Sequence, residues 1–152
     1  MNTGVLRIID ANLNRSREGL RVCEDVSRFI LNSAGVSKGL KSMRHGITAA
    51  IRTLPLSRTQ LLRSRDSRED VGRRSGLATE MRRSSAADIF AANMQRVKES
   101  LRVLEELSKL VDASSAARFQ GLRFKAYDVE KDAVARLQKL RPVRHTGRGI
   151  SK

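Results

Sequence analysis

The sequence has few aromatic residues, few helix-breaking residues and a single cysteine. Its 152 residues include no Trp, one Tyr, four Phe, two Pro and one Cys. The lone Cys23 excludes an intramolecular disulfide, and its apolar neighbours indicate a buried thiol in a reducing compartment, so we expect a cytoplasmic protein. No apolar run approaches the roughly 20 residues of a membrane span, and residues 1–4 do not resemble an export signal. We therefore expect neither export nor a membrane partner.

The spacing of the apolar residues predicts an all-α fold. These residues recur at helical intervals, and the alternation typical of strands is nowhere sustained. We expect a single helical domain over residues 1–140, followed by a basic flexible tail at 141–152. Within the domain, residues 57–84 are rich in arginine and lack apolar periodicity, which predicts a connecting loop that begins with a short turn at 58–63.

Local signals place the helix boundaries. Thr3 is the candidate cap of the first helix, and Pro55 must end the second because its ring cannot continue a helix. Ser85, with Asp88 three residues later, forms a variant capping box that opens the third helix. Four long helices are expected, at residues 4–31, 37–54, 85–111 and 116–140.

The first and third predicted helices have similar sequences. Residues 8–30 and 89–111 are identical at ten of 23 positions, with an offset of 81, and the second and fourth helices align more weakly. A single helical hairpin cannot bury its apolar face alone. We therefore predict a helical bundle built from a duplicated helical hairpin with pseudo-twofold symmetry. Repeat one spans about 4–54, and repeat two spans about 85–140.

A polar pair interrupts the apolar face of each repeated helix. The pair is Asn12 with Arg15 in the first copy and Asn93 with Arg96 in the second. A buried amide or guanidinium group must be hydrogen-bonded, because leaving it unpaired is costly. One interpretation is structural, in which each arginine forms a salt bridge with a glutamate of the other copy and locks the hairpins together. The other interpretation is a polar pocket at the interface between the copies.

In the pocket interpretation, small residues provide the space. Gly19 and its counterpart Ser100 would leave room for a ligand between the two helices. The paired arginines would then hold a phosphate through two parallel hydrogen bonds each. The charged residues that recur at intervals of three along both helices are also typical of solvated helix faces.

The net charge favours an anionic ligand. The chain has 31 Lys and Arg against 16 Asp and Glu, a formal charge of +15 with both His neutral. The middle segment contains Arg65, Asp66 and Asp70, residue types that contact a nucleotide and its magnesium, although a flexible basic linker has a similar composition. His45, beside Arg44, is a candidate base or phosphate ligand, or a structural residue. The sequence lacks a P-loop, a kinase glycine loop, a nucleophile elbow and zinc-ligand spacing.

Four segments carry a resemblance to a known family: IIDANLNRSREGLRVCEDVSRFI, LKSMRHGI, LLRSRDSREDVG and AANMQRVKESLRVLEELSK. They resemble the monofunctional hydroxymethylpyrimidine phosphate kinases of thiamin biosynthesis, which occur alone or fused ahead of thiamin-phosphate synthase. The resemblance spans about residues 8–109, and the pattern N-x-x-R-x-x-E-x-L-R-V-x-E occurs twice. It implies transfer of the ATP γ-phosphoryl group to 4-amino-5-hydroxymethyl-2-methylpyrimidine phosphate, with ATP and Mg²⁺ required.

The resemblance gives the matching positions, and we infer their roles from the reaction it implies, because two anionic substrates must be aligned and their charge neutralised. Arg15, Arg96 and Arg65 are expected to clamp phosphates, and Asp66 and Asp70 to bind magnesium. Either Asn12 or Asn93 is expected to read the aminopyrimidine edge. The remaining substrate-binding candidates are Glu18, Gly19, Glu99, Arg44 and His45. The positions that also match the family pattern, without an assigned role, are Arg21, Glu24, Gly72, Arg102 and Glu105.

Two other functions compete with the kinase at this stage. A strongly basic helical bundle can bind nucleic acid through phosphate contacts, but the few aromatic residues offer little for single-stranded bases to stack on. A non-catalytic domain that docks on thiamin-phosphate synthase is the second alternative, so that enzyme is a candidate partner. The sequence leaves open whether copies of the chain associate.

Overall fold

The computed structural model describes residues 2–66 and 83–140, which form five α-helices. No strand occurs in these two ranges, so the all-α prediction is confirmed there. The expected short turn at 58–63 is a helix, which makes the architecture a five-helix bundle. The helices are α1 (Thr3–Phe29), α2 (Ala34–Arg52), α3 (Arg58–Ser64), α4 (Ala86–Ser108) and α5 (Ala113–Leu137). Most of the predicted loop, at 67–82, and the predicted tail, at 141–152, lie outside the described residues.

The helix ends agree with part of the cap predictions. Ser85 caps α4 as expected, because its side chain accepts a hydrogen bond from the Asp88 backbone N–H at 3.1 Å. The second helix ends three residues before Pro55. The prediction of Thr3 as the first cap is wrong, since the Asn2 carboxamide oxygen accepts from the Gly4 N–H at 2.7 Å and Thr3 already lies in the helix. An asparagine is the better cap because its oxygen reaches the orphan N–H groups more easily.

Helices α1 and α4 form the centre of the bundle and run antiparallel. Gly19 on α1 lies against Asn93 on α4, and the Sγ of Cys23, one turn later, donates to the carbonyl of Phe90, one turn earlier, at 3.5 Å. Helix α2 packs on α1, α5 packs on α4, and α2 and α5 pack on each other. Helix α3 packs on α1, and Arg65 and Asp66, which follow α3, contact the N-terminal half of α1.

The core is formed by apolar residues of the four long helices. Phe90, Phe119, Leu20, Leu40 and Met94 are among its largest fully buried side chains. Cys23 is buried with them, as expected, and burial raises the pKa of its thiol to about 12. None of the helices within 2–66 and 83–140 is long and apolar enough to cross a membrane.

Two apolar residues that the helical spacing predicts on the core face of the first helix are exposed, namely Ile8 and Ile30, and Ile30 is 50% exposed at the end of α1. Ile8 is 44% exposed, whereas Leu13, which the helical pattern did not single out, is 2% exposed. The reason is that α3 covers the side of α1 that carries Leu13 and leaves Ile8 beside an open cleft. The apolar stripe of α1 is therefore divided between the bundle interior and a surface depression.

Candidate functional site

A salt bridge between α1 and the end of α3 organises the candidate site. Asp10 is buried on α1, and both of its carboxylate oxygens accept from Arg65: Nε donates to Oδ2 at 2.7 Å and Nη2 to Oδ1 at 3.0 Å. This hydrogen bond is the main reason why the pKa of Arg65 is raised. Such a two-point contact fixes the plane of the guanidinium group as well as its position. Arg65 still has free N–H donors, so it can hold a further anion in a defined geometry.

A cleft of about 580 Å³ opens beside this salt bridge. It will be called the Arg15 cleft, and its lining residues are Gly4, Arg7, Ile8, Asp10, Ala11, Asn12, Asn14, Arg15, Arg65 and Asp66. The volume is within the range of small-molecule sites. The structure thus brings together four residues that were predicted for the site from sequence: Asn12, Arg15, Arg65 and Asp66.

Arg15 is a cation of this cleft that no carboxylate of the described residues neutralises. It is exposed and makes no hydrogen bond or ion pair with the residues at 2–66 and 83–140. Its guanidinium is therefore available to a ligand. The exposure also corrects the expectation that Arg15 is buried in the interface between the two copies. Arg96 is likewise exposed, forms no ion pair with the described residues, and does not line the Arg15 cleft.

The two predicted asparagines have the same local contact but different surroundings. Asn12 Nδ2 donates to the carbonyl of Ile8 at 2.8 Å, and Asn93 Nδ2 donates to the carbonyl of Ile89 at 2.8 Å. Each bond fixes the amide on its own helix. Only Asn12 lines the Arg15 cleft, and its Oδ1 accepts no hydrogen bond from the part of the chain that the structure describes. That oxygen is therefore a candidate acceptor for a ligand amino group.

The small residues do not provide space for a ligand. A methyl group placed on Gly19 would lie 2.9 Å from the backbone oxygen of Asn93 and 2.9 Å from Cγ2 of Val97. Helix α4 therefore fills the position that was expected to be a pocket. Ser100 is buried as well. The expectation that Gly19 contacts substrate through an interface pocket is wrong, because the glycine serves the close approach of α1 and α4.

Other predicted residues lie in separate grooves. Glu18 and Arg44 line a groove of about 510 Å³ with Arg17 and Arg21, and Glu99 lines another of about 540 Å³. Arg44 donates to Glu24 at 3.3 Å, and its buried Nε has no hydrogen-bond partner among residues 2–66 and 83–140. His45 is exposed and lines none of the clefts described here.

The salt bridges that lock the helices differ from the expected ones. Arg44 pairs with Glu24, which joins α2 to α1, and Arg123 pairs with Glu105 at 2.9 Å, which joins α5 to α4. The two glutamates occupy aligned positions in the sequence, and so do the two arginines. The proposed lock between Arg15 or Arg96 and a glutamate of the other copy is absent from residues 2–66 and 83–140.

Only one of the two predicted magnesium ligands, Asp66, lies within the described residues. Asp66 lies at the edge of the Arg15 cleft, where its backbone carbonyl accepts from Arg7 at 3.0 Å and its carboxylate lies 4.0 Å from the same guanidinium. Asp70 lies outside the described residues. No group of three or more potential metal-binding side chains occurs among the residues that the structure describes. Magnesium commonly uses one or two carboxylates together with substrate phosphates, and Asp66 at the cleft suits that mode.

Two charged residues of the cleft, Asp10 and Arg7, were not predicted from the sequence. Asp10 holds Arg65, and Arg7 contacts Asp66. Asp10 offered a signal, because it is a carboxylate inside the apolar run of the first helix, where burial without a partner is costly. Its partner is 55 residues away in sequence, and that pairing depends on where α3 packs.

Comparison with known proteins gives a family for this chain. Residues 7–132 match the ThiD2 family. The chain is 42% identical over 123 residues to a thiamine-phosphate synthase of Rhodopirellula baltica, covering 81% of this chain and 32% of the relative. It is 38% identical over 128 residues to one of Synechocystis, covering 84% and 36% respectively. The chain thus spans about a third of the length of these relatives. No match was found among solved structures.

Proposed function

Because this chain belongs to the ThiD2 family, which is associated with thiamin biosynthesis, we propose that it transfers the γ-phosphoryl group of ATP to 4-amino-5-hydroxymethyl-2-methylpyrimidine phosphate. The product is the pyrimidine pyrophosphate. The relatives are named thiamine-phosphate synthases, and this chain matches only about a third of each. We assign the kinase step to that third.

The observation that carries this proposal is that one cleft contains two arginines in different environments. Arg65 is held rigidly by Asp10, and Arg15 has no anion of its own within the described residues. Two phosphate-bearing substrates repel each other, so a kinase that phosphorylates a phosphate must neutralise and align them. A fixed guanidinium and an available one in the same cleft meet that need.

The chemistry needs little acid-base catalysis. A non-bridging oxygen of the acceptor phosphate attacks the γ-phosphorus of ATP. The bond from that phosphorus to the β,γ-bridging oxygen breaks, and ADP leaves with the electron pair. The attacking oxygen is already ionised at neutral pH, so no side chain has to remove a proton. Arg15 and Arg65 stabilise the negative charge that spreads over the transferred group.

The rest of the cleft suits an aminopyrimidine. The free Oδ1 of Asn12 would accept from the exocyclic amino group, which selects an amino over a carbonyl substituent. Ile8 presents exposed apolar surface on the same wall, against which the methylated ring would pack. Magnesium, held by Asp66 and Asp70 together with the phosphates, would supply further charge neutralisation.

We infer that the two halves descend from one duplicated hairpin and that only the first half kept this site. The second half retains the structural contacts, such as the Arg123–Glu105 salt bridge and the Asn93 amide bond. It has Ala91 at the position that aligns with Asp10. Without that carboxylate, no arginine can be held as Arg65 is held.

A docking role is the second candidate. It is favoured by one finding, namely that the matched relatives carry this region within a longer synthase chain. In that case the region would position or regulate the synthase without catalysing a step of its own.

A coupled assay separates these candidates. The purified chain is mixed with ATP, Mg²⁺ and the pyrimidine phosphate, and product is read by adding a separate thiamin-phosphate synthase with its second substrate. We expect thiamin phosphate to form only when both ATP and the chain are present. A folded chain that yields no product, while added pyrimidine pyrophosphate is still converted, would rule out the kinase and favour the docking role.

A further inference from the structure

A second cleft is also lined by Asp10. Its volume is about 710 Å³, and it is bounded by α1, α2 and α3. It will be called the Arg17 cleft, and its lining residues are Asp10, Leu13, Asn14, Arg17, Thr48, Ile51, Arg52, Leu56, Arg58, Leu61, Leu62 and Arg65. Like the Arg15 cleft, it is of the size that holds a small organic ligand.

Three arginines of this cleft lack a carboxylate partner within residues 2–66 and 83–140: Arg17, Arg52 and Arg58. Arg17 is half-buried, and its Nη2 donates a long hydrogen bond to the hydroxyl of Thr48, at 3.4 Å. Burial and the nearby positive charge of Arg58 lower the pKa of Arg17, and the charge of Asp10 opposes this shift in part. Arginine nevertheless stays protonated at neutral pH. The cleft therefore holds mutually repelling cations that a polyanion would neutralise.

The other wall of the Arg17 cleft is apolar. Leu13, Ile51, Leu56 and Leu61 contribute to it, and Leu62 is 59% exposed at its edge. An exposed leucine beside a concave apolar wall is a site where a flat ring can pack. The combination of a cationic wall and an apolar wall fits a ligand that has both a polyphosphate and a ring.

The two clefts meet at one salt bridge. Asp10, Asn14 and Arg65 line both of them. Arg65 is thus the cation that lines both clefts, so a ligand in either cleft can contact it. Asp10 fixes its position. Phosphoryl transfer requires the donor and acceptor phosphates to meet in line at such a point.

We propose that the Arg17 cleft binds a nucleoside triphosphate, with its polyphosphate along Arg17, Arg52 and Arg58 and its terminal phosphate at Arg65. This inference rests on the proposed function, for which it supplies the donor site. The Arg15 cleft then takes the acceptor phosphate. Direct transfer between the two ligands occurs across the shared Asp10–Arg65 pair.

Nucleotide binding to an Arg58→Gln variant tests this proposal. Arg58 is exposed and has no ion pair in the described part, so its removal should not unfold the protein. Arg63→Gln is the matched control, because Arg63 is exposed on the same helix and lines none of these clefts. The probe is the β,γ-imido analogue of ATP with Mg²⁺, titrated calorimetrically with and without saturating pyrimidine phosphate. We expect Arg58→Gln to weaken its binding about tenfold and Arg63→Gln to leave it unchanged.

Three results would overturn the assignment. The first is that the wild-type chain does not bind the analogue under either condition. The second is that both variants weaken binding of the analogue equally. The third is that Arg58→Gln weakens binding of the pyrimidine phosphate and not of the analogue. The outcome is separable from the kinase proposal. Binding that depends on Arg58 without turnover leaves this site standing and removes the kinase. If Arg58→Gln turns over with an unchanged KM for ATP, the kinase proposal stands and the Arg17 cleft is not the nucleotide site.

Discussion

Replacing Arg15 by Lys is expected to lower kcat/KM for phosphorylation of the pyrimidine phosphate about thirtyfold. Lysine keeps the charge but loses the planar fork that holds a phosphate through two hydrogen bonds, a difference on the order of 2 kcal/mol in the transition state. The melting temperature should not change, because Arg15 is exposed and has no ion pair in the described part of the chain. Steady-state kinetics and a melting curve on the same preparation measure both effects.

Arg96→Lys is the matched control for this prediction. Arg96 aligns with Arg15 in the other copy and is also exposed, but it does not line the Arg15 cleft. We expect its activity to stay within about twofold of wild type. Equal losses in the two variants would show that both repeats contribute to one site. A stable Arg15→Lys protein with unchanged turnover would remove Arg15 from the mechanism.

Replacing Glu105 by Ala is expected to destabilise the protein by about 3 kcal/mol. Glu105 is 2% exposed and accepts from Arg102 at 2.7 Å and from Arg123 at 2.9 Å. Without it, the largely buried guanidinium of Arg123 loses its charged partner between α4 and α5. For a chain of this size, the melting temperature should fall by on the order of 10 °C. Thermal unfolding followed by far-ultraviolet circular dichroism provides the measurement.

The neighbouring residue provides the comparison. Glu106→Ala removes the same charge and side chain from α4, but Glu106 is exposed and pairs with Arg102 and Lys109 at the surface. Its melting temperature should be close to that of the wild type, because exposed ion pairs contribute little. If the two variants have the same melting temperature, the Glu105–Arg123 salt bridge does not hold α5 on α4.

Much of the fold could be predicted because it depends on local patterns. The apolar spacing, Pro55 and the Ser85 cap place the long helices within a few residues of where they lie. Helix α3 was reduced to a turn, since seven residues are too few to show a helical period. Its Ser57–Gln60 capping box was the available signal.

The site could be predicted only in part. The spacing of apolar residues identifies the apolar face of a helix, but it does not show which part of that face is covered by another helix. Asn12 and Arg15 border the apolar face, and the position of α3 leaves them in an open cleft. Gly19 lies on the same face but is covered by α4. Residues that depend on long-range packing, such as Asp10 with Arg65, become visible only in three dimensions.

The proposed mechanism requires the Arg15 cleft to hold the acceptor phosphate beside Arg65. A crystal structure of the chain with the pyrimidine phosphate tests this most directly. We expect phosphate oxygens to accept hydrogen bonds from the Arg15 and Arg65 guanidinium groups and the ring amino group to donate to Oδ1 of Asn12. The pyrimidine phosphate bound instead in the groove of Glu18 and Arg44, or in the groove of Glu99, with the Arg15 cleft empty, would contradict it.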